Sequence, residues 1–502
     1  MEMEPQGPTA KKRRSEALET DKTPPLATAA VEAPNPHPTT TESRSNSPEP
    51  PLPGAGGGDG GGVDRISGLP DAILGEIISL LFTKDAARVQ TLASRWRNIW
   101  SSTPLILDGS DLPADVEDFA AAVSRILCTH PGPGRRFCVP PQYLHDQPAT
   151  VDAWLQSPAL DNLQELDFWD DRFYWQRRVF PPAPPPASTF RFSATLRVAT
   201  FSRCHLLDAT VEGLHFPQIR HLALENVSIS EDSLHTIIAR CPALECLLLD
   251  NSFGFRCVRI SSGTLTSIGV GSDCLSDKLQ LRELIIVDAP CLERLLHLQL
   301  HMGIHVSVVS APKLMTLGSF ADWDDGGRLV FGTTTIQGMR VVSLTKVVCS
   351  VKILAVHPRH INLDMIIDLM KCFPCLEKLY IKSCISREMN LWRRKHGHFI
   401  KFFDFRLKTV VLEHYWGIKS QVNFASFFIL NAGELEVMRI EVAASDYNEA
   451  FFAKQHKVLQ MEKRASRGAR LHFTTGRCHR EVHVKHVRDL SIADPFECRC
   501  WN

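Results

Sequence analysis

The sequence predicts an α/β protein: a polar N-terminal tail, a short all-helical unit, then an irregular solenoid of strand–helix repeats closed by a terminal cap. Three observations carry this expectation. Residues 1–62 hold almost no large apolar side chains and end in glycines. Residues 64–100 carry apolar side chains at helical spacing. From about Leu105, short segments patterned leucine-x-x-leucine-x-leucine recur as far as Ile381. The expected boundaries are 1–62 for the tail, 63–104 for the helical unit, 105–401 for the solenoid and 402–502 for the C-terminal region.

Composition bounds the answer. A chain of 502 residues allows two to four units, and 44% hydrophobic with 22% charged residues lets most of it bury a core. Lys+Arg and Asp+Glu are both 56, so a whole-protein basic field for nucleic acid is excluded. No apolar run is long enough to span a bilayer, and the first residues lack the apolar centre of a secretory signal. Fifteen cysteines, an odd number scattered through apolar segments, suit reduced thiols in the cytosol or nucleus.

The tail is rich in Pro, Ala, Thr, Ser and Glu, so it cannot offset its ordering entropy by burial and is expected to be disordered. Lys11-Lys12-Arg13-Arg14 within it reads either as a nuclear import signal or as solvated charge. The glycines of Gly54–Gly62 form a flexible linker rather than a phosphate loop, since no Gly-Lys-Ser/Thr follows and no strand precedes.

The helical unit begins near Pro70, which suits the first helical position. Ile73, Leu74, Ile77, Ile78, Leu80 and Leu81 follow at helical spacing. Thr83 is expected to cap a short second helix, with Asp85 in its first turn. A third helix is expected to carry Val89, Leu92, Trp96, Ile99 and Trp100 along one side, and Pro104 ends the unit. So short a unit cannot bury all these side chains within itself. Leu69, Ile73, Ile77, Leu92, Trp96 and Trp100 therefore need a partner surface, either the repeats that follow, as a cap on their open end, or another protein.

The blocks D-R-I-S-x-L-P-D-x-I-L, T-K-D-A-A-R and S-R-W-R-x-x-W, in this order over Asp64–Trp100, resemble the F-box of plant F-box proteins. Phe82 and Ala93 depart from that pattern, which usually has proline and serine there. The resemblance implies that Leu69 and Pro70 begin a contact with a Skp-type adaptor. The apolar pattern extends that surface through Ile73, Leu74, Ile77, Leu92 and Trp96.

The repeating strands are Leu163–Phe168, Leu196–Phe201, Ile219–Ile229, Leu244–Leu249, Leu281–Ile286, Leu314–Leu317, Val351–Val356 and Leu376–Ile381. Their L-x-x-L-x-L pattern is the leucine-rich-repeat signature, with inward leucines stacking between turns. Spacing is irregular, so alternating β/α segments of another parallel fold compete with this reading. The solenoid is favoured because Leu234–Pro242 and Met365–Pro374 place a helix, closed by Cys and Pro, in the same arrangement before a strand. Strand side chains alternate faces, so Arg220, Glu225, Glu245, Arg282, Glu377 and Tyr380, lying between inward leucines, are the expected target-binding positions.

Phe180–Pro186, beside the aromatic run Phe168–Trp175, is expected as an exposed proline-rich loop. Trp392–His396 is a short basic cluster, either phosphate-contacting or simply solvated. Residues from about Phe402 resemble the FBD domain found behind F-box and leucine-rich repeats in plants, through Arg406–Gly417, Phe424–Gly433 and Leu435–Ile440. Read physically they are strand, helix and strand, a cap on the stack; Glu449–Arg467 reads as a further helix and Glu481–Val487 as an alternating strand.

Sites for chemistry are thin. Cys372-x-x-Cys375 sits at a helix–strand junction and reads as core, without a second pair at zinc spacing. Cys478, His479, His483 and His486 come closer to a metal site but, alternating with polar neighbours, read rather as a solvated face, and Cys498-Arg-Cys500 as tail. No catalytic, metal or cofactor motif is present in the sequence. Two function classes remain. In the first, implied by the resemblance, the helical unit docks a Skp-type adaptor and through it a cullin, while the repeats hold a target protein for ubiquitination. In the second, a nuclear regulator or scaffold binds protein or, through its basic clusters, nucleic acid, without ligase function. The first is favoured, with nucleus or cytoplasm as the location and no membrane partner.

Overall fold

The computed structural model describes residues 66, 68–81, 83–113, 115–169, 182–272, 278–298, 303–322, 327–382, 406–475 and 482–497. Lys11–Arg14 and the rest of the tail, Trp392–His396, Cys478, His479, Cys498 and Cys500 lie outside these residues.

Three helices open the described chain: α1 (Asp71–Ser79), α2 (Thr83–Arg88) and α3 (Ser94–Ser102). Pro70 is the N-cap of α1 rather than its first residue, with extended ψ of 148°. The Arg95 guanidinium holds that entry by reaching the Leu69 carbonyl at 2.5 Å and the Asp71 carboxylate at 2.6 Å. Thr83 does not cap α2; it is the helix's first residue and is fully buried. Its hydroxyl accepts from the Asp108 N–H at 2.8 Å and lies 3.2 and 3.3 Å from the carbonyls of Ile106 and Asp108. The expected single third helix is broken. Val89–Thr91 forms a separate 3-10 turn, and Ala93 is extended at φ −163°, as a residue opening a new helix must be. Leu92 leaves the expected line and stands 67% exposed, while Val89 and Trp96 both pack against the core.

Thr83 thus stitches the helical unit to the first strand of the repeats. Replacing Thr83 with valine keeps the shape and removes the hydroxyl, leaving the Asp108 N–H unpaired. The variant should lose about 1–3 kcal/mol in urea unfolding. An unchanged midpoint would show that the stitch carries no stability.

From Leu105 the chain lays down β1 (Leu105–Asp108), β2 (Gly134–Val139), β3 (Glu165–Phe168), β4 (Val198–Ser202), β5 (His221–Glu225) and β6 (Cys246–Asp250). It then alternates between two sheets through β7 (Cys257–Ser261), β8 (Ser267–Gly271), β9 (Glu283–Asp288), β10 (Arg294–His297), β11 (His305–Val308) and β12 (Thr316–Ala321). A hairpin excursion, β13 (Arg328–Phe331), β14 (Thr334–Gln337) and β15 (Arg340–Ser343), follows. The last strands are β16 (Ile353–His357), β17 (Lys378–Lys382), β18 (Thr409–Tyr415), β19 (Val437–Val442) and β20 (Arg470–Thr475). Among the described residues, one sheet has 14 strands in the order β1-β2-β3-β4-β5-β6-β8-β10-β12-β16-β17-β18-β19-β20. A second has six, β15-β14-β13-β11-β9-β7. The main sheet is parallel and ascends in chain order, which is the solenoid expected; β18, β19 and β20 continue it into the C-terminal region.

Helices fill the return of most turns: α4 (Val116–Thr129), α5 (Tyr143–Asp146), α6 (Pro148–Leu155), α7 (Asp208–Glu212), α8 (Glu231–Ala239), α9 (Leu363–Cys372), α10 (Lys419–Asn431) and α11 (Glu449–Val458). The two expected within the repeats, α8 and α9, begin at side-chain caps, Ser230 on Ser233 N–H and Asn362 on Asp364 N–H. Inward residues such as Leu222, Leu247, Leu295, Leu354 and Leu379 pack with Phe119, Leu234, Ile366 and Phe424 in one continuous core. Asn226 and Asn251 leave β5 and β6 with φ of 55° and 52°, a left-handed turn that asparagine tolerates better than most. At β12 the register shifts after Leu317. Gly318 permits this at φ +137°, where a Cβ would lie 2.5 Å from the Ala355 carbonyl oxygen.

Four sequence expectations change. Leu281–Ile286 is not a strand of the main sheet: as β9 it belongs to the second. The main-sheet strands of that stretch follow Leu265 and Leu292 instead. L-x-x-L-x-L reports only that one side of a strand is buried, and here strands of both sheets cover the same core. The proline-rich stretch is not wholly an exposed loop, because Ala183 bridges to Cys204 and Pro185 is buried. Residues 482–486 are not a strand. Val482, Val484 and His486 are buried in alternation, as expected, but against the sheet's other face rather than within it. His486 is accordingly no part of a solvated surface.

Candidate functional site

Two surfaces emerge from this architecture. The first is on the helical unit. Helix α1 is apolar on two sides, and only one is used internally: Leu74 and Ile78, one turn apart, are sealed in the chain's own core. Leu74, expected to face an adaptor, is 0% exposed and cannot do so. Ile73 and Ile77, also one turn apart, are 48% and 38% exposed, and Ile66, Leu80 and Leu92 stand exposed beside them in the sequence blocks of the same unit. Pro70 is exposed, whereas Leu69 and Trp96 are half-buried against the core. Trp100, expected to need a partner surface, finds it on the repeats, buried edge-on to the His130 ring at 5.2 Å. His130 Nε2 lies 3.1 Å from the Trp100 carbonyl, and burial holds its pKa below the usual value despite hydrogen bonds that oppose the shift. The unit therefore rests on the repeats and still presents an apolar surface outward.

The second surface is the main sheet's face opposite the leucine core. Register places the expected target-binding positions unequally on it. Arg220 and Glu245 stand at the start of adjacent strands, 3.1 Å apart, and Glu377 stands in the same row between Lys352 at 3.0 Å and Lys408 at 3.6 Å. These three are accessible. Arg282 is not on this face, because it leads into β9 of the second sheet. Glu225 is buried beside Asp250; burial first and the Asp250 charge second push its carboxyl up to about 8, against a weak 3.4 Å hydrogen bond from Ser202. Tyr380 is buried too, under the chain's own C-terminal segment.

That segment, residues 482–497, was legible only as an alternation of valines. It crosses the face from β3 to β19. At one end His486 Nε2 lies 3.0 Å from the Thr200 hydroxyl and 3.1 Å from Asp167, and Arg488 pairs with Glu165 and Asp167. Burial would raise the Asp167 carboxyl, but His486, Arg488 and Arg136 outweigh it and hold the group well below the usual carboxylate range. In the middle Leu490 is fully buried over Gly269, where a Cβ would approach its side chain to 2.8 Å. At the other end Asp494 accepts from Tyr380 at 2.8 Å and Lys378 at 2.9 Å, Phe496 packs on Tyr380 at 5.5 Å, and Glu497 pairs with Arg439 at 3.2 Å. None of these partners is near in sequence, so no local pattern announces them.

Cys372 is core, its thiol donating to the Asp368 carbonyl and pushed up by burial to about 11. Among the described residues no group of three or more His, Cys, Asp or Glu is placed to hold a metal ion, and no helix is long and apolar enough to cross a membrane.

Comparison with known proteins matches residues 66–108 to the F-box domain and residues 151–381 to the family described as FBD-associated F-box protein At5g56370, LRR repeats. The chain is similar to F-box/LRR-repeat protein 13 of Arabidopsis thaliana, 28% identical over 245 residues, covering 46% of this chain and 51% of that protein. It is similar also to F-box/FBD/LRR-repeat protein At5g22700 of the same plant, 28% identical over 275 residues, 52% of this chain and 58% of that one. FBD-associated F-box protein At5g44490 is 27% identical over 222 residues, 42% and 44% of the two chains. The match spans about half the length of these curated relatives.

Proposed function

Since the chain belongs to the family of F-box/FBD/LRR-repeat proteins, we propose that it is the substrate-recognition subunit of an SCF-type ubiquitin ligase. The observation that supports this most is the outward pair Ile73 and Ile77, left exposed on a helix whose other apolar side is already buried. Contiguous exposed apolar side chains mark an interaction site. In this reading they meet a Skp-type adaptor, with Pro70 and Leu92 beside them, and the adaptor brings a cullin. The repeats hold a target protein, and residues 402–502 are the FBD region that closes the stack. The chain makes no bond itself: it raises the local concentration of target near a charged ubiquitin, in the nucleus or cytoplasm.

The test is assembly from purified parts. Full-length chain, a plant Skp-type adaptor and a cullin should elute together in gel filtration, and the cullin should join only when adaptor is present. A folded chain that passes through without adaptor overturns the proposal.

A further inference from the structure

The free face of the main sheet is polarised and is already occupied. Glu165 and Asp167 on β3 make one end acidic, while Lys378 on β17 and Arg439 on β19 make the other basic. Between them runs an apolar floor, including Ala223, Leu248, Leu296 and Ala355. Residues 482–497 match this in order: basic at His486 and Arg488, apolar at Leu490 and Phe496, acidic at Asp494 and Glu497. How the segment is held matters as much as where it lies. Among the described residues its backbone hydrogen bonds run within itself, such as His483 N–H to the Pro495 carbonyl and Asp489 N–H to the His486 carbonyl. The sheet grips it through side chains. It can therefore leave without breaking a single ladder hydrogen bond of the strands beneath.

We propose that this face is a receiving groove for a short looped segment of the target, and that residues 482–497, a loop that passes through a 3-10 turn at Val487–Ser491 and closes at His483 on the Pro495 carbonyl, are its resident occupant, displaced by a target segment of the same shape and polarity. Such a segment carries a basic pair, an apolar anchor in the Leu490 seat over Gly269, and an aromatic anchor flanked by carboxylates in the Tyr380 seat. The three expected positions that remain accessible, Arg220, Glu245 and Glu377, line one margin of the groove, where a larger target would rest. A tethered occupant competes at an effective concentration in the millimolar range, so a weakly matched protein is excluded and a well matched one enters. The proposal rests on the substrate-receptor reading for its partner. Its test uses no adaptor, so either can fail alone.

The test uses full-length chain carrying Leu490→Asp and Phe496→Asp, which removes both anchors of the occupant. The probe is a fluorescein-labelled synthetic peptide of residues 482–497, followed by anisotropy. The variant should take up the peptide, and wild-type chain should bind it at least roughly thirtyfold more weakly because its groove is filled. The same peptide with Leu490→Asp should lose roughly thirtyfold as well. Adding Gly269→Leu to the variant, which fills the seat from below, should abolish uptake. A folded variant that takes up no peptide, or takes up a scrambled peptide equally, overturns the proposal. Native-state hydrogen exchange on unmutated chain gives an independent reading. Amides of 482–497 should exchange well before those of β5, β6 and β17, since their opening is local. If they exchange only with global unfolding, the segment is a fixed part of the fold and the groove is not a binding site.

Discussion

Replacing Ile73 and Ile77 together with aspartate should lower retention of a purified Skp-type adaptor by at least about a hundredfold. Truncating one buried interface anchor commonly costs about 2 kcal/mol or more. Aspartate adds the desolvation of a charge at a dry contact. Two such anchors sum to roughly a thousandfold, and non-additivity between neighbours brings this down to the lower figure. The fold should be untouched, because both side chains point away from the core that Leu74 and Ile78 enter. Leu74→Asp is the contrasting variant: it buries a charge within the chain and should unfold the helical unit, losing adaptor and melting transition together. Pull-downs beside circular dichroism separate the two. Equal adaptor recovery by wild type and the Ile73→Asp/Ile77→Asp variant would remove the adaptor role from this surface.

The second large effect is a dependence on pH. Glu225 is buried, and burial and then Asp250 push its carboxyl up to about 8 from an ordinary 4.5. A carboxyl raised on folding favours the native state only while it holds its proton. Its contribution is therefore present below pH about 4.5 and is lost progressively as pH rises through 8. Glutamine copies the protonated form and does not titrate. Glu225→Gln should thus resemble wild type in urea unfolding near pH 5 and exceed it at pH 8.5, by on the order of 4 kcal/mol. Parallel curves for the two proteins across that range would mean that the carboxyl is solvated in the native state.

The helical unit and the repeats were readable because each obeys a local period. Ile73, Leu74, Ile77 and Ile78 announce a helix at once, yet they also explain why its orientation was not readable. With apolar side chains on two adjacent stripes, periodicity cannot say which stripe faces the repeats; packing decides in favour of Leu74 and Ile78. The same limit placed Arg282 on the wrong sheet. A strand buried on one side leaves the same mark whether it faces the core from the front or from the back. The C-terminal segment lay furthest from reach. Its alternation at Val482, Val484 and His486 was visible, but its partners Thr200, Asp167 and Glu165 stand 286, 319 and 323 residues away in the chain.

The second sheet changes what backs the main one. Strands stack about 4.8 Å apart, whereas a helix is about 10 Å across, so a turn backed by a strand and a turn backed by a helix differ in thickness at the rear. Between β7 and β13 strands of the second sheet alternate with those of the main sheet, while helices occupy many of the returns before and after. Residues 486–497 reach from β3, before that stretch, to β19, after it, and so tie together turns that are otherwise joined only through the stack. Releasing the tie should loosen the stack, and small-angle X-ray scattering would register the change as an increase in radius of gyration.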